Sequence, residues 1–320
     1  MNASRGPALL PEVPITGQGG LGRAGGLLVA LCRTARPRQW VKNTLVFIAP
    51  GVAGTLHRPG PGRHTVIAFL VLCAAASGTY FLNDARDAAS DRLHPRKKSR
   101  PVAAGTVPPA AAYGAAAALI VAAVIVSTVA LGTAPASCVA LYSALTVWYS
   151  FQLKHVAVLD LVLLASAFVL RAVLGALAGA VVLSPWLLIV TAFGALFMAA
   201  GKRAADLRTA PHTLTRKVTD RDYSLAFLVR IQTLAATVAV TAYCAWAFGL
   251  GSPMPQRAGG GDGSLGFQLS VVPFVSGLFR YSLYLERGEG GAPEDLVLSD
   301  RFLRIAAVCW ILLVAAGAYA

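Results

Sequence analysis

The sequence predicts an all-α protein that crosses a lipid bilayer many times, and three observations predict it. Hydrophobic residues make up 56% of the 320 positions and charged residues only 13%, about half the charged share of an ordinary soluble domain. Apolar runs recur along the chain, each near the ~20 residues that a helix needs to span hydrocarbon. Lys and Arg gather in alternate connecting segments, the asymmetry that orients membrane helices. Hydrocarbon offers backbone amides no partner, so each spanning segment is expected to be a helix and no sheet is expected.

In chain order, hydropathy places nine spans at roughly 41–56, 65–83, 109–132, 136–153, 156–181, 185–203, 225–250, 267–284 and 302–320. The first is short and carries Lys42, Asn43 and Pro50. Residues 1–30 are rich in Gly, Pro and Ala and read as a disordered tail without the pattern of a signal peptide. Residues 31–320 read as one transmembrane helical domain. If the N-terminus is cytosolic, the opposite loops hold only Arg58, Arg63 and Arg257, and nearly all other basic residues lie inside. That bias predicts a plasma-membrane protein with its N-terminus in the cytosol. The net charge of +14 fits this topology, anionic lipid and phosphorylated substrates; no nucleic-acid partner is expected.

NDARDAASD, residues 83–91, is the main chemical signal. Asp84, Asp87 and Asp91 stand at i, i+3 and i+7, one face of a helix, with Asn83 beside them. Carboxylates so placed repel unless cations compensate them. A hard-oxygen set suits Mg²⁺, which binds one or two carboxylates and completes its shell with water and substrate phosphate. The alternative is a solvated, capped helix end. It is disfavoured because the chain has only 14 acids against 28 Lys and Arg.

Basic groups surround that stripe. In RPRQWVKN, residues 36–43, Arg36 and Arg38 read equally well as an interfacial belt or as functional groups, whereas Lys42 and Asn43 lie deeper in an apolar run. HPRKKSRP, residues 94–101, supplies Arg96, Lys97, Lys98 and Arg100, one or two of them suited to phosphate. Lys154 precedes the fifth span. Asp160 and Arg171 share a face of that span, eleven residues apart; charges at such depth face a cavity or a partner. Arg171 is expected to face a polar cavity, and Asp160 to orient a basic side chain. In GKRAAD, residues 201–206, Asp206 can steer Lys202 or Arg203. Tyr281 in FRYSLY is expected to project into the same cytosolic mouth. The five cysteines show no C-x-x-C spacing, and the five histidines no metal-ligand pattern.

These motifs, in this order from residue 36 to 304, resemble the UbiA superfamily of intramembrane prenyltransferases. The N-D-x-x-D-x-x-x-D pattern is similar to that superfamily's first metal-binding motif. The whole set is more similar to its branch that transfers phosphoribosyl groups to decaprenyl phosphate in actinobacterial cell-wall synthesis. The resemblance implies about nine helices bundled around a central polar cavity open to the cytosol. It also implies Mg²⁺ held by Asn83, Asp84, Asp87 and Asp91, with Asp84, Asp87, Lys202 and Arg203 in catalysis. Phosphoribosyl diphosphate would be the donor and a polyprenyl phosphate the acceptor, with arabinan precursors as the destination. Lys42, Asn43, Lys97, Arg100, Lys154, Arg171, Asp206 and Tyr281 would bind substrate. Most of the superfamily carries a second acid motif after the sixth helix; GKRAAD stands there instead, which implies direct phosphate contacts.

Two other readings follow from the same residues. A prenyl transferase acting on a prenyl diphosphate and a small acceptor shares the acid stripe, but the missing second acid motif argues against it. A transporter could use Asp160 and Arg171 along a path, yet leaves the acid stripe without a role. Subunit number is left open, a homo-oligomer included.

Overall fold

A computed structural model describes residues 20–95, 97–153, 156–209, 222–250, 264–289, 296 and 299–319. Among the described residues there are helices and no strand. The first, α1 (Gly20–Ala35), begins inside the stretch expected as a disordered tail; residues 1–19 lie outside the described residues. The run Leu27–Leu31 explains the helix, and Ala30 packs it against Phe81 and Ala85.

The first expected span is not one α-helix. It forms a 3₁₀ helix, Pro37–Phe47, followed by the short α2 (Ile48–Val52). A 3₁₀ helix stacks side chains at every third position and rises ~2 Å per residue. Asn43, Val46 and Ala49 are accordingly buried in one stripe, with Trp40 at its head. At that rise the segment 37–52 covers about 30 Å, the thickness of the hydrocarbon core, with fewer residues than an α-helix needs.

The remaining elements are α3 (Pro59–Arg86), α4 (Ala88–Leu93), α5 (Pro109–Leu131), α6 (Thr133–Phe151), α7 (Leu159–Ala178), α8 (Pro185–Thr209), α9 (Leu225–Ala247), α10 (Ser264–Leu269), α11 (Val271–Glu286) and α12 (Arg301–Tyr319). Among the described residues six helices are long and apolar enough to cross a membrane, namely α3, α5, α7, α8, α9 and α12; nine spans were expected. The shortfall has local causes. The 3₁₀ segment replaces the first, α6 is diluted by Ser and Thr, and the eighth is split at Ser270 into α10 and α11. Pro273 lies in the first turn of α11, where a missing N–H costs no hydrogen bond within that helix.

Lipid provides no hydrophobic drive between helices, so close approach of small residues must supply the attraction. Gly78 lets α3 meet α5; a Cβ there would lie 3.0 Å from the Ala116 carbonyl oxygen and 2.8 Å from Ile120 Cγ1. Gly175 and Gly179, a G-x-x-x-G pair on α7, do the same for the 3₁₀ segment. A Cβ at Gly175 would lie 2.0 Å from the Val46 carbonyl oxygen, and one at Gly179 would lie 2.8 Å from Pro50. Around that contact Val46, Leu72, Val139, Tyr142 and Leu174 form the main core.

The second half of the chain is hollow. A cavity of about 770 Å³, lined almost wholly by apolar and aromatic side chains, lies between the 3₁₀–α2 segment, α7, α8, α9, α11 and α12. It extends along α8 from Trp186 to Met198, about 18 Å at 1.5 Å per residue.

Candidate functional site

The acid stripe occupies the end of α3, but the helix does not run through it. α3 stops at Arg86, Asp87 closes it with φ −86° and ψ 3°, and α4 starts at Ala88. The expectation of three carboxylates on one continuous helix face is therefore corrected. Asp84 and Asp91 are brought together, both 2% exposed, while Asp87 is the half-buried joint between them. Asn83 is half-buried on the last turn of α3, and its carbonyl accepts the Asp87 N–H at 2.9 Å. No group of three acids, histidines or cysteines able to hold a metal occurs among the described residues.

Cations fill the space instead. Arg36 Nη2 donates to Asp84 Oδ1 at 2.5 Å. Arg100 Nη1 reaches Asp84 Oδ1 at 3.2 Å and Asp91 Oδ2 at 2.7 Å. Lys97 Nζ lies 3.6 Å from Asp91 Oδ1. A single nitrogen touching both carboxylates shows that they are close enough to share one cation. Two buried carboxylates with that spacing fit Mg²⁺ as two protein ligands whose shell is completed by water and phosphate. The loop is fixed to α4 by Arg92, whose Nε donates to the Ala103 carbonyl at 3.1 Å.

Arg86, within the same motif, ties this end of α3 to α6. It donates to the carbonyls of Ser150 and Phe151 and lies 4.6 Å from the Phe151 ring centroid. Those carbonyls have no intrahelical partner, and a cation at a helix C-terminus is favoured by the dipole. Thr79, two turns earlier on α3, and Thr146, one turn earlier on α6, are 3.3 Å apart.

A second charge cluster lies where α7 meets α8. Asp160 is completely buried, and its Oδ2 accepts Arg203 Nε at 3.1 Å and Nη2 at 2.9 Å. Tyr223, just before α9, donates its hydroxyl to Asp160 Oδ1. The same hydroxyl accepts the Val158 N–H at 2.6 Å, and Val158 sits at φ 67°, a costly value for a β-branched residue. Burial, and then the hydrogen bond to Asp160, push the Tyr223 phenol up from its usual pKa. Tyr149 of α6 also hydrogen-bonds Arg203. Asp160 thus orients a basic side chain, as its position on α7 led one to expect.

Other expected residues are distributed as follows. Lys202 is exposed, because Gly201 faces Leu285 at close range and Arg203 faces Asp160; Asp206 is half-buried one turn on. Lys42 Nζ donates to Gln39 Oε1 at 2.5 Å, three positions back on the 3₁₀ face. Asn43 is buried, its Oδ1 accepting Arg171 Nε at 3.0 Å. Arg171 does not face a polar cavity. Its other nitrogens go to the Ala167 carbonyl at 2.7 Å and the Tyr142 hydroxyl at 3.0 Å, and its guanidinium lies against Phe168 and Tyr142. Tyr281 is buried edge-on to Phe197 and lines the apolar cavity, so it is not a group of the polar mouth. Lys154 lies outside the described residues.

Sequence reasoning missed Tyr149, Tyr223 and Tyr142 as partners of the buried cations, and left Arg36 undecided. The α3 stripe Ser77, Tyr80, Asp84, spaced i, i+3, i+7, was the available signal for Arg36, since all three touch the 35–36 corner. No signal in the sequence pairs Tyr223 with Asp160, 63 residues away.

Comparison with known proteins follows the same lines. The chain is 39% identical over 300 residues to a decaprenyl-phosphate phosphoribosyltransferase of Corynebacterium glutamicum, covering 92% of this chain and 87% of that one. It is 38% identical over 298 residues to the protein of that name in Mycolicibacterium smegmatis, covering 92% and 93%. The fold is similar to a UbiA homolog from Archaeoglobus fulgidus bound to GPP and Mg²⁺, with TM-score 0.66, 16% identity, and coverage of 90% and 98%. It is also similar to a digeranylgeranylglyceryl phosphate synthase, with TM-score 0.63, 14% identity, and coverage of 91% and 98%. The family model described as UbiA prenyltransferase family matches residues 44–290, and the chain belongs to that family.

Proposed function

We propose that this protein transfers the 5-phosphoribosyl group from phosphoribosyl diphosphate to a polyprenyl phosphate, decaprenyl phosphate in the first place, and releases diphosphate. The observation that carries the reading is one acidic site paired with one basic site. Asp84 and Asp91 hold the acid end of α3 and α4, while the end of α8 offers Arg203 and Lys202 where a second acid motif would stand. The relatives at 38–39% identity over 92% of the chain carry the matching name.

Asp84 and Asp91, with Asp87 and Asn83 beside them, would hold Mg²⁺. When bound, the ion supplies charge neutralisation for the departing diphosphate. Support for it comes from the archaeal neighbour solved with Mg²⁺ and from two carboxylates that share one cation here. Arg203, aimed by Asp160 and the two tyrosines, stabilises the charge that grows on the leaving group. Lys97 and Arg100 bind donor phosphates from the loop, and Lys202 adds positive potential at the mouth. As the glycosidic bond breaks, positive charge grows on the ribose ring, as in other glycosyl transfers. The acceptor phosphate attacks there; it is already ionised at neutral pH and needs no general base.

The apolar cavity takes the polyprenyl chain. Its 18 Å length along α8 covers part of a long isoprenoid, and the remainder extends into the bilayer. Lys42 belongs to the 3₁₀ segment, which lines the cavity through Leu45 and continues into α2 at Ile48. Arg171, Asn43 and Tyr142 stabilise that wall from behind Phe168. Residues 31–320 act as one catalytic domain in the plasma membrane with the acid end toward the cytosol, a direction supported by the Lys and Arg bias. The product feeds cell-wall arabinan synthesis.

The test is a purified, lipid-reconstituted chain given labelled phosphoribosyl diphosphate and decaprenyl phosphate. A phosphoribosylated lipid in the mass spectrum and stoichiometric diphosphate are expected. Prenyl transfer from a prenyl diphosphate, with no phosphoribosylated lipid, would overturn the reading.

A further inference from the structure

We infer that Arg36 is a ligand of the donor's diphosphate, parked on Asp84 in the substrate-free protein and handed to a phosphate oxygen when Mg²⁺ takes that carboxylate. The inference rests on the phosphoribosyl-transfer reading above.

The backbone is the first observation. Arg36 has φ 53° and ψ 61°, the left-handed region that non-glycine residues seldom enter. Pro37 follows it, and a residue before proline is normally extended. Such strain persists only where the surroundings impose it, and it concentrates at functional sites. Here the surroundings are one stripe of α3. Ser77 Oγ donates to the Ala35 carbonyl at 3.1 Å, and Trp40 Nε1 donates to the same Ser77 oxygen at 3.1 Å. The Arg36 guanidinium lies 5.0 Å from the Tyr80 ring centroid and reaches Asp84 beyond it. The corner is pinned so that one guanidinium meets one carboxylate.

The second observation is the imbalance of partners. Arg100 touches Asp84 and Asp91, so it keeps a carboxylate if Asp84 is taken by a metal. Arg36 has Asp84 as its sole carboxylate partner among the described residues. Displaced from it, the guanidinium stays over Tyr80 and needs a new anion with acceptor oxygens, which a diphosphate supplies. Exposure agrees, since the Arg36 side chain is 30% exposed and that of Asp84 is 2%. The cation is the partner that can turn outward.

Charge supplies the third. Asp84 and Asp91 already carry Arg36, Arg100 and Lys97. With Asp87 at the joint the three carboxylates and three cations balance, so Mg²⁺ alone would leave the cluster with two uncompensated positive charges. The ion and an anion of high charge are therefore accepted together, with Arg36 as the group that changes partner.

The inference requires opposite signs from one substitution. Isothermal titration of the solubilised full chain with MgCl₂ alone, and with inorganic diphosphate at saturating Mg²⁺, measures both. In R36A and R36G, Mg²⁺ alone should bind several-fold tighter, because a competing cation is gone, while diphosphate should bind about tenfold or more weaker. R36G removes the side chain without imposing left-handed strain, so agreement between the two variants excludes a backbone effect. R36K, which keeps the charge but not the two-pronged geometry, should restore part of the diphosphate affinity. Diphosphate affinity unchanged in R36G would overturn the inference. Weakening of both ligands with an unaltered melting temperature would make Arg36 a shaping residue only, and would overturn it too. A wild-type chain that takes up Mg²⁺ but no diphosphate would overturn the underlying reading instead, and one that passes both titrations leaves the Arg36 variants to decide.

Discussion

Two charge clusters stand at neighbouring ends of this bundle, built from the same residue types and behaving as opposites. At the end of α3, the cations on Asp84 and Asp91 come from a strained corner and a loop, and they are 29% to 37% exposed. Between α7 and α8, Asp160 is wholly buried and the Arg203 side chain only 11% exposed, with Tyr223 and Tyr149 closing the remaining valences. An exposed ion pair contributes little and is readily exchanged. A buried pair is costly to break, because either partner alone is an uncompensated charge. The first cluster is therefore able to exchange its cations, as the proposed metal and substrate binding requires, and the second holds one cation still.

That contrast predicts effects of graded size. Asp84→Asn should have the largest, about 10²–10³-fold or more in turnover, with the melting temperature little changed, as measured by diphosphate release and thermal unfolding in the same detergent. A drop in stability matching the loss of activity would show that the acid end is structural after all. Asp160→Asn should do the reverse in emphasis, since an unpaired Arg203 in a buried site costs about 3–5 kcal/mol, read as lost thermal stability together with lost activity. Gly175→Ala comes next. Its methyl group would press on the Val46 carbonyl, an overpacking cost of about 1–3 kcal/mol, visible as a lower melting temperature with retained donor affinity.

Tyr223→Phe removes the hydrogen bond to a buried carboxylate, worth about 1.5–3 kcal/mol, together with the acceptor of the Val158 N–H, and should raise KM for the donor as well as lower stability. The pH response of this group has a definite sign. Its folded pKa is raised above the ordinary value of 10, so its stabilising contribution is complete below pH 10 and is lost as pH rises through the folded value. Unfolding midpoints of wild type and Tyr223→Phe should differ by a constant amount from pH 6 to 9 and converge only above pH 10. Convergence at neutral pH would remove Tyr223 from the locked cluster. Lys202→Ala should have the smallest effect, a rise in KM that fades with added salt, because an exposed cation acts only through screened potential.

The legible part of this molecule was whatever repeats. Apolar runs mark α3, α5, α7, α8, α9 and α12 with ends displaced by at most six residues, and the i, i+3, i+7 spacing found Asp84 and Asp91. Gly175 and Gly179 stand at a G-x-x-x-G spacing that the sequence displays, but nothing in it shows that their partners are the Val46 carbonyl and Pro50. The 3₁₀ segment is not legible in hydropathy, which places a span at 41–56 without regard to helical period, whereas Trp40, Asn43 and Val46 recur every third residue. The break at Asp87 is not legible because nothing in ARDAA forbids a helix; it falls beside Arg86, which bonds to the end of α6. The locked cluster was half legible. Asp160 is conspicuous in an apolar run, but its contacts with Arg203 and Tyr223 span 43 and 63 residues, and no local pattern carries such distances.

The period of three in Pro37–Phe47 also restricts how the gene can change. Each residue there turns the chain by about 120° and advances it about 2 Å. Adding or deleting one residue would swing Lys42 and Asn43 by a third of a turn and lose the Val46–Gly175 contact. Adding three would restore every facing and lengthen the segment by about 6 Å. Length variation in this segment should therefore be tolerated only in steps of three residues, a reading-frame rule written in protein geometry.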